Sequence, residues 1–178
     1  DGKSSLVNTN KLVRNYNGCT GLKTGSTSIA LYNLSASATR NNLSLIAVVL
    51  KAPTPAIRFS NAQKLLDYGF SNYSVTSFGK KGDVIKSVTI KKGTISSIDA
   101  ILENDADILT LNGSSNDITQ EIKLSDTLNA PILDGQKIGE VEFSMDGSVI
   151  LTVNLVSNKT VNKLNFSSIF KLVFSKWF

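Results

Sequence analysis

Residues 31–50 read LYNLSASATRNNLSLIAVVL, and this stretch predicts a β-hairpin. The first half, Leu31 to Thr39, is rich in apolar residues and runs into the turn Arg40-Asn41-Asn42. The second half, Leu43 to Leu50, is a short apolar run of the kind found in strands that are buried on both faces. We therefore expect two paired, antiparallel strands here.

A helix is expected directly after the hairpin. Thr54 suits the N-cap, and Pro55 suits the first helical position, where its missing N–H costs nothing. Gly69 is expected to end the helix. Apolar residues recur between these points at the three- and four-residue spacing of a helix that covers one sheet face, namely Phe59, Ala62, Leu65 and Leu66.

Beyond Tyr73 the chain consists of short β-runs that are separated by turn signals, which favours a small all-β sandwich. The clearest hairpin joins Val141–Met145 to Ser148–Val153 through Asp146-Gly147, because both turn residues tolerate the positive φ angles of a type I′ turn. The other turn signals are Lys81-Gly82-Asp83, Lys92-Gly93, Asn112-Gly113-Ser114 and Asp134-Gly135.

The charge changes sign twice along the chain, although the net charge is +5. Residues 1–73 carry eight Lys/Arg and two Asp/Glu, residues 74–157 carry seven and twelve, and residues 158–178 carry four and none, which gives +6, −5 and +4. The pattern predicts three segments with different roles, at 1–73, 74–157 and 158–178. The basic residues are scattered and are not interleaved with aromatic residues, so no nucleic-acid partner is expected.

Composition excludes several kinds of catalysis. The sequence contains no histidine, so Ser-His-Asp and Cys-His mechanisms and histidine-rich metal sites are ruled out. The single Cys19 has no second thiol to pair with, and we interpret it as a small, partly buried filler. No apolar run reaches the roughly 18 to 20 residues of a membrane-spanning helix. No export signal is visible at Asp1, so we expect a chain that was processed or that lacks its front part.

The last segment predicts an amphipathic helix that begins near Asn165 as N-cap. One face is bulky and aromatic, and the other carries lysines and serines, which suits binding in the plane of an anionic membrane surface. The alternative is that this face packs on its own domain or on a second copy. The proposed membrane-binding residues are Phe166, Ile169, Phe170, Val173, Phe174 and Trp177.

The strongest motif lies near the start of the chain. Asn8-Thr9-Asn10-Lys11-Leu12, Tyr16-Asn17-Gly18 and Gly21-Leu22-Lys23-Thr24-Gly25-Ser26-Thr27 together resemble the third active-site motif of the penicillin-binding proteins and serine β-lactamases. Lys64–Phe70 and Gly135–Gly139 also look like those of the D-alanyl-D-alanine carboxypeptidases, and the resemblance covers essentially the whole chain. A phosphate-binding loop is the rival interpretation, but it requires a glycine where Leu22 precedes Lys23.

The resemblance implies an α+β protein. Its first part would be the C-terminal part of a transpeptidase-like α/β domain, followed by the small all-β sandwich and the amphipathic helix. The intact protein would be an extracytoplasmic serine-type D-Ala-D-Ala carboxypeptidase on the outer face of the cytoplasmic membrane, with peptidoglycan pentapeptides as substrates and β-lactams as ligands. No metal or organic cofactor is implied.

The motif residues receive roles from the chemistry of a substrate that ends in a carboxylate. Lys23 and Thr24 offer an ammonium and a hydroxyl for charge-assisted hydrogen bonds to that group. Gly25 lets the substrate backbone lie close to the strand. By resemblance, the Ser26 N–H is an oxyanion donor, and Thr27 and Arg58 lie near the substrate. The alternative for Arg58 is an ordinary solvated helix residue.

The resemblance also implies two motifs that should precede Lys23, namely S-x-x-K with the nucleophile and S-x-N. The 22 residues before Lys23 contain neither. Ser77–Lys80, Ser168–Lys171 and Ser114–Asn116 match these strings, and we interpret all three as chance matches. We therefore expect the missing N-terminal half of the catalytic domain to be a partner of this chain, and the chain alone to be inactive. The alternatives are a non-catalytic cell-surface module that retains only the binding strand, and a free β-lactamase, which has no reason to carry the later segments.

Overall fold

The computed structural model describes residues 8–114 and 117–165. It has two compact units, one running to Val75 and including Leu109–Gly113, the other formed by Thr76–Ile108 and the residues from Ser114 onward. Most of the regular structure is β-strand, as expected for the later part of the chain. The division at residues 73 and 157 remains a prediction. The amphipathic tail helix, with Phe166, Ile169, Phe170, Val173, Phe174 and Trp177, lies outside the described residues.

The first unit is built on the hairpin of β3 (Leu31–Arg40) and β4 (Leu43–Ala52), which confirms the predicted strand pair. Asn41 and Asn42 form the turn with φ angles of 47° and 64°, a region that asparagine tolerates better than most residues. On the other side of β3 lie two short antiparallel strands in succession, β1 (Cys19–Gly21) and β2 (Thr24–Thr27). A short helix, α1 (Leu12–Asn15), precedes them.

The expectation that β4 is buried on both faces is wrong. Ile46, Val48 and Leu50 are 68%, 56% and 72% exposed, whereas Ala47 and Val49 between them are buried. Alternate side chains of a strand point to opposite faces, and one face of β4 packs on a helix. Both faces of β4 are therefore apolar, but within the described residues only one of them packs against another element.

The covering helix is α2 (Pro55–Asn72), which begins where the sequence predicts, since the Thr54 hydroxyl accepts a 3.2 Å hydrogen bond from the Ile57 N–H. Its predicted end is wrong, because the helix continues beyond Gly69 to Asn72. Gly69 is buried, and a Cβ there would lie 2.5 Å from Cδ1 of Leu45. The glycine therefore permits close packing of helix on sheet. The buried core of this unit comprises Leu12, Tyr16, Leu34, Ala36, Ala38, Ala47, Val49, Ala52, Ala62 and Leu66, and the partly buried Cys19 packs against it.

The boundary between the units falls within β5 (Tyr73–Ser77) and β8 (Asp107–Leu111), which pair with each other. The second unit contains a six-stranded sheet with the order β10-β6-β7-β12-β11-β9. Its strands are β6 (Val84–Lys91), β7 (Ser97–Leu102), β9 (Thr119–Leu124), β10 (Thr127–Asn129), β11 (Lys137–Met145) and β12 (Ser148–Ser157).

The turns of the second unit follow the sequence signals. Asp146 and Gly147 connect β11 to β12 with φ angles of 52° and 74°, which confirms the predicted hairpin. The core is continuous across the sheet and includes Phe143, whose ring centroid lies 5.3 Å from that of Phe78. Ala106 and Ile108, which lie outside the six-stranded sheet, also belong to this core. The sandwich arrangement itself remains a prediction.

In the described part of the chain, neither helix has the length and hydropathy that a transmembrane span requires.

Candidate functional site

Of the predicted substrate-binding residues, Thr24 and Thr27 lie on β2, at an edge of the first sheet. Among the described strands, β2 pairs only with β3, and the register places Thr24 opposite Leu34, Gly25 opposite Asn33 and Ser26 opposite Tyr32. Lys23, just before β2, exchanges hydrogen bonds of 3.1 and 3.0 Å with the backbone of Ser35. The motif is therefore extended along an open sheet edge.

The hydrogen-bond alternation of an antiparallel pair decides which backbone groups face this open edge. Since Lys23 and Ser35 exchange both bonds, the next such pair along the register is Gly25 and Asn33. The N–H and C=O groups of Thr24 and Ser26 consequently point away from β3. The Ser26 N–H thus faces the open edge, where an oxyanion donor would have to lie.

The side chains of Lys23 and Thr24 approach this edge from opposite faces of the strand, because adjacent residues alternate. Lys23 is exposed, and its ammonium donates a 2.9 Å hydrogen bond to the Thr24 carbonyl, which bends it towards the edge. Thr24 is half-buried, and its hydroxyl oxygen lies 2.7 Å from that of Thr9. The two groups can therefore reach one ligand only around the open edge.

The rest of the motif leaves space beside the strand. A Cβ at Gly25 would meet no atom within 4 Å, so a ligand backbone can approach there. The hydroxyl of Thr27 accepts a 2.9 Å hydrogen bond from the Ala30 N–H and closes the turn after β2. Next to this turn lies a cleft of about 370 Å³, lined by Ser26, Thr27, Ser28, Leu31 and Tyr32.

Arg58 projects from the first turn of α2 into the sheet. It is only 8% exposed, so the alternative of an ordinary solvated helix residue is wrong. Its Nη1 donates to the Asn33 carbonyl at 3.3 Å, and its guanidinium carbon lies 4.6 Å from the Phe59 ring and 5.7 Å from the Tyr32 ring. Its Nε is buried and has no partner among the described residues. Arg58 is thus joined to β3 directly opposite Gly25.

The segment before β1 is hydrogen-bonded to the end of β1, next to the candidate edge. Asn10 is 1% exposed, donates to the Gly21 carbonyl at 3.0 Å and accepts from the Leu12 N–H at 3.1 Å. Asn10 and Thr9 belong to the motif that precedes Lys23, but the sequence alone gives neither residue a role. Asn33 was missed altogether, because nothing in an apolar-rich strand distinguishes it.

Tyr16 connects the same segment to α2. Its hydroxyl donates a 2.7 Å hydrogen bond to Asp67, and the Arg40 guanidinium carbon lies 4.6 Å from its ring. Burial, reinforced by the Asp67 carboxylate, raises the pKa of Tyr16 to about 12, with Arg40 acting in the opposite direction. The phenol therefore stays protonated at neutral pH and serves as a structural donor.

The string Ser77-Phe78-Gly79-Lys80 does not form a serine–lysine pair. The Lys80 ammonium lies 2.8 Å from Asp107 and 3.3 Å from Asp105, and these carboxylates raise the pKa of Lys80. A lysine held in its charged form by two carboxylates is a poor general base. Ser168–Lys171 lies outside the described residues, and Ser114–Asn116 lies only partly within them. Over residues 8–114 and 117–165, no cluster of three or more His, Cys, Asp or Glu could hold a metal ion.

Comparison with known protein families gives two matches. Residues 73–163 match the family described as penicillin-binding protein 5, C-terminal domain, and residues 1–54 match the family described as D-alanyl-D-alanine carboxypeptidase.

Individual relatives agree with these two family matches. The chain is 36% identical over 178 residues to the D-alanyl-D-alanine carboxypeptidase DacF of Bacillus subtilis, covering 99% of this chain and 46% of that protein. It is 37% identical over 137 residues to DacA of Haemophilus influenzae, covering 76% of this chain and 35% of that protein. Among solved structures, penicillin-binding protein 5 of Haemophilus influenzae superposes with a TM-score of 0.69 at 34% identity, covering 86% of this chain and 45% of that one. The chain thus spans less than half the length of these relatives.

Proposed function

This chain belongs to the D-alanyl-D-alanine carboxypeptidase family, and we propose that it is the substrate-gripping part of such an enzyme. The intact protein removes the terminal D-alanine of peptidoglycan stem peptides through a serine acyl-enzyme, and penicillins acylate the same serine. The observation that carries this proposal is the open edge of β2, along which lie the ammonium of Lys23, the hydroxyl of Thr24 and the outward N–H of Ser26.

Each group on this edge has a task in acyl transfer. Lys23 and Thr24 hold the terminal carboxylate of the peptide by charge-assisted hydrogen bonds. The Ser26 N–H stabilises the negative charge that develops on the attacked carbonyl, which is worth most where water is excluded. Gly25 and Thr27 leave room for the peptide backbone. Arg58 adds positive charge behind the strand.

The nucleophile and its lysine base lie in the S-x-x-K motif of a further part of the longer protein, which also holds the S-x-N motif. The relatives support this, since they are more than twice as long as the matched region. The chain alone is therefore expected to form no penicillin adduct.

The experiment uses a fluorescent penicillin with the intact protein and with this chain. We expect a covalent adduct on the intact protein only, and a large loss of acylation rate in Lys23→Met. Lys91→Met is the matched control, because Lys91 is an exposed lysine on a strand of the other unit. An adduct on Ser77 of this chain would refute the assignment, and an intact protein without any adduct would favour the non-catalytic surface module.

The rest of the catalytic domain packs against β4 in this proposal. The side of β4 away from β3 has no partner strand among the described residues, and Ile46, Val48 and Leu50 are exposed. Beside it lies a largely apolar groove of about 570 Å³, lined by Val48, Val49, Leu50, Asn61, Lys64, Leu65 and Tyr68. An open, apolar strand edge of this kind favours pairing with a further strand.

Amide hydrogen exchange tests this packing. We expect the outward N–H groups of Leu43–Ala52 to exchange quickly in the 178-residue chain and to be protected in the intact protein. The inward N–H groups, which pair with β3, are the internal control. Equal exchange of the outward groups in both proteins would exclude this interface.

Residues 158–178 anchor the protein peripherally to the outer face of the cytoplasmic membrane. The support is the sequence pattern, with four lysines and no acidic residue beside an aromatic face. Liposome sedimentation with and without residues 164–178 tests it. Loss of binding to anionic vesicles on truncation is expected, and equal binding of both forms would exclude the anchor.

A further inference from the structure

Asn33 occupies the point where three elements meet behind the candidate site. It lies in β3 directly opposite Gly25 of β2. On its other side the pairing of β3 with β4 shifts, since Tyr32 is opposite Ala52 whereas Leu34 is opposite Val49. One residue of β3 therefore faces two residues of β4, which is the geometry of a β-bulge.

The side chain of Asn33 forms hydrogen bonds with backbone groups of the bulge and of the turn after β2. Its Oδ1 accepts a 2.9 Å hydrogen bond from the Lys51 N–H, and Lys51 is the bulged residue with a φ of 55°. Its Nδ2 donates to the Ala30 carbonyl at 3.0 Å and to the Leu31 carbonyl at 3.4 Å. Leu31 itself has a φ of 50°. One amide thus ties two left-handed residues on neighbouring strands.

The backbone of Asn33 adds two further connections. Its carbonyl accepts the 3.3 Å hydrogen bond from Arg58, which is almost completely buried. Its N–H and C=O also form the ladder with Gly25, one residue before the outward N–H of Ser26. A shift of Asn33 would therefore move the oxyanion donor.

We propose that Asn33 is a positioning residue that sets the place of the Gly25–Ser26 backbone, and hence of the Ser26 N–H, through the turn after β2, the β4 bulge and Arg58. This inference rests on the proposed function for its catalytic consequence, although its structural consequence is independent of it. Asn33 itself does not contact substrate. It acts on the chemical step because the donor must meet the oxyanion within a fraction of an ångström.

Asn33→Asp is the sharpest variant. A carboxylate of the same size keeps the acceptor for the Lys51 N–H, but it cannot donate to the carbonyls of Ala30 and Leu31 and places negative charge beside them. Asn72→Ala is the matched control, since the Asn72 amide also donates to a carbonyl, that of Tyr68 at 2.7 Å, on the far end of α2.

Two readouts are taken. In the intact protein, saturation kinetics with a fluorescent penicillin separate affinity from the first-order acylation step. We expect the first-order acylation rate of Asn33→Asp to fall about tenfold to a hundredfold, as for a misplacement of the oxyanion donor by about 1 Å. The affinity for the penicillin and the melting temperature should change no more than they do in Asn72→Ala. In the 178-residue chain, the NMR shifts of the Gly25 and Ser26 amides are expected to move in Asn33→Asp and to stay in place in Asn72→Ala.

The outcomes separate the two proposals. A wild-type intact protein that forms no adduct overturns the proposed function, whereas unmoved Gly25 and Ser26 amides overturn the role of Asn33 whatever the kinetics. An acylation rate that equals the wild-type rate also overturns it. A loss of acylation that matches the fraction of unfolded protein assigns Asn33 a purely structural role and overturns the positioning role as well.

Discussion

The hydroxyl oxygens of Thr9 and Thr24 lie 2.7 Å apart, so the loop before α1 reaches the strand that carries the candidate site. This contact orients the half-buried Thr24 hydroxyl, which binds the substrate carboxylate in the proposed function. The loop therefore takes part in shaping the candidate site.

Replacement of Thr24 by valine in the intact protein should slow acylation by penicillin about tenfold to a hundredfold, because a hydrogen bond to a charged group is worth about 1.5–3 kcal/mol. Thr9→Val should cost less, about fivefold, since it removes only a neutral bond of about 1 kcal/mol. The second-order acylation rate constant is the measurement. An effect of Thr9→Val larger than that of Thr24→Val would contradict the assigned roles.

The raised pKa of Tyr16 predicts that the folded protein loses stability at alkaline pH. The pKa of Tyr16 is about 12 in the folded protein against an ordinary 10.0, so the contribution of this residue to the free energy of unfolding is complete below the lower value. As the pH rises from there through about 12, the unfolded chain loses the phenolic proton first and stability falls.

Urea unfolding of wild type and Tyr16→Phe measures this effect, together with titration of tyrosinate absorbance. The steep alkaline decline should be weaker in Tyr16→Phe, and the component of the tyrosinate titration with a pKa of about 12 should disappear. A titration curve that keeps this component after the substitution would refute the assignment.

Gly18→Ala should strongly destabilise the first unit. Gly18 has a φ of 77°, and a Cβ there would collide with the carbonyl oxygen of Thr39, whose N–H donates to the Gly18 carbonyl at 2.9 Å. Gly147→Ala is the matched control, because its φ is 74° but nothing lies within 4 Å of a Cβ. The control should lower the free energy of unfolding by about 1–2 kcal/mol through the left-handed conformation alone, and Gly18→Ala should lower it clearly more. Calorimetric melting of both variants measures the two losses, and equal losses would exclude the collision.

Two neighbouring leucines of α2 test the packing of helix on sheet. Leu66 is 1% exposed and Leu65 is 50% exposed. In the 178-residue chain, Leu66→Ala should lower the free energy of unfolding by about 2–5 kcal/mol, whereas Leu65→Ala should cost less than about 1 kcal/mol. Similar losses in denaturant unfolding would mean that α2 packs with a different face.

Local signals in the sequence predict much of this fold. The cap at Thr54 and the turn at Asp146-Gly147 each depend on one or two residues whose chemistry is sufficient, and the structure confirms both. Gly69 misleads because a glycine near a helix end has two uses, and only the approach of Leu45 reveals which one applies. The exposed face of β4 could not be predicted either. A run of apolar residues shows that the side chains are apolar, but it does not show whether another element packs on both faces of the strand.

The candidate site, like the fold, could be predicted only in part from the sequence. The Lys-Thr-Gly motif predicts a strand with room beside it for a substrate backbone, and the structure places Thr24 and Gly25 on a strand at a sheet edge. Asn33 could not be found from the sequence, because its role comes from a register shift between two strands that are only brought together by folding. The burial of Arg58 likewise depends on the aromatic rings of Tyr32 and Phe59 that enclose it.

The interruption between β1 and β2 restricts how this region can change in length during evolution. Both short strands dock on β3, and the register slips between Cys19 and Gly21 before Lys23 resumes the ladder with Ser35. Deletion or insertion of one residue at Leu22 would turn each following side chain to the opposite face of the sheet and exchange the inward and outward backbone groups. Homologous genes should therefore tolerate substitutions at this point far more readily than gaps.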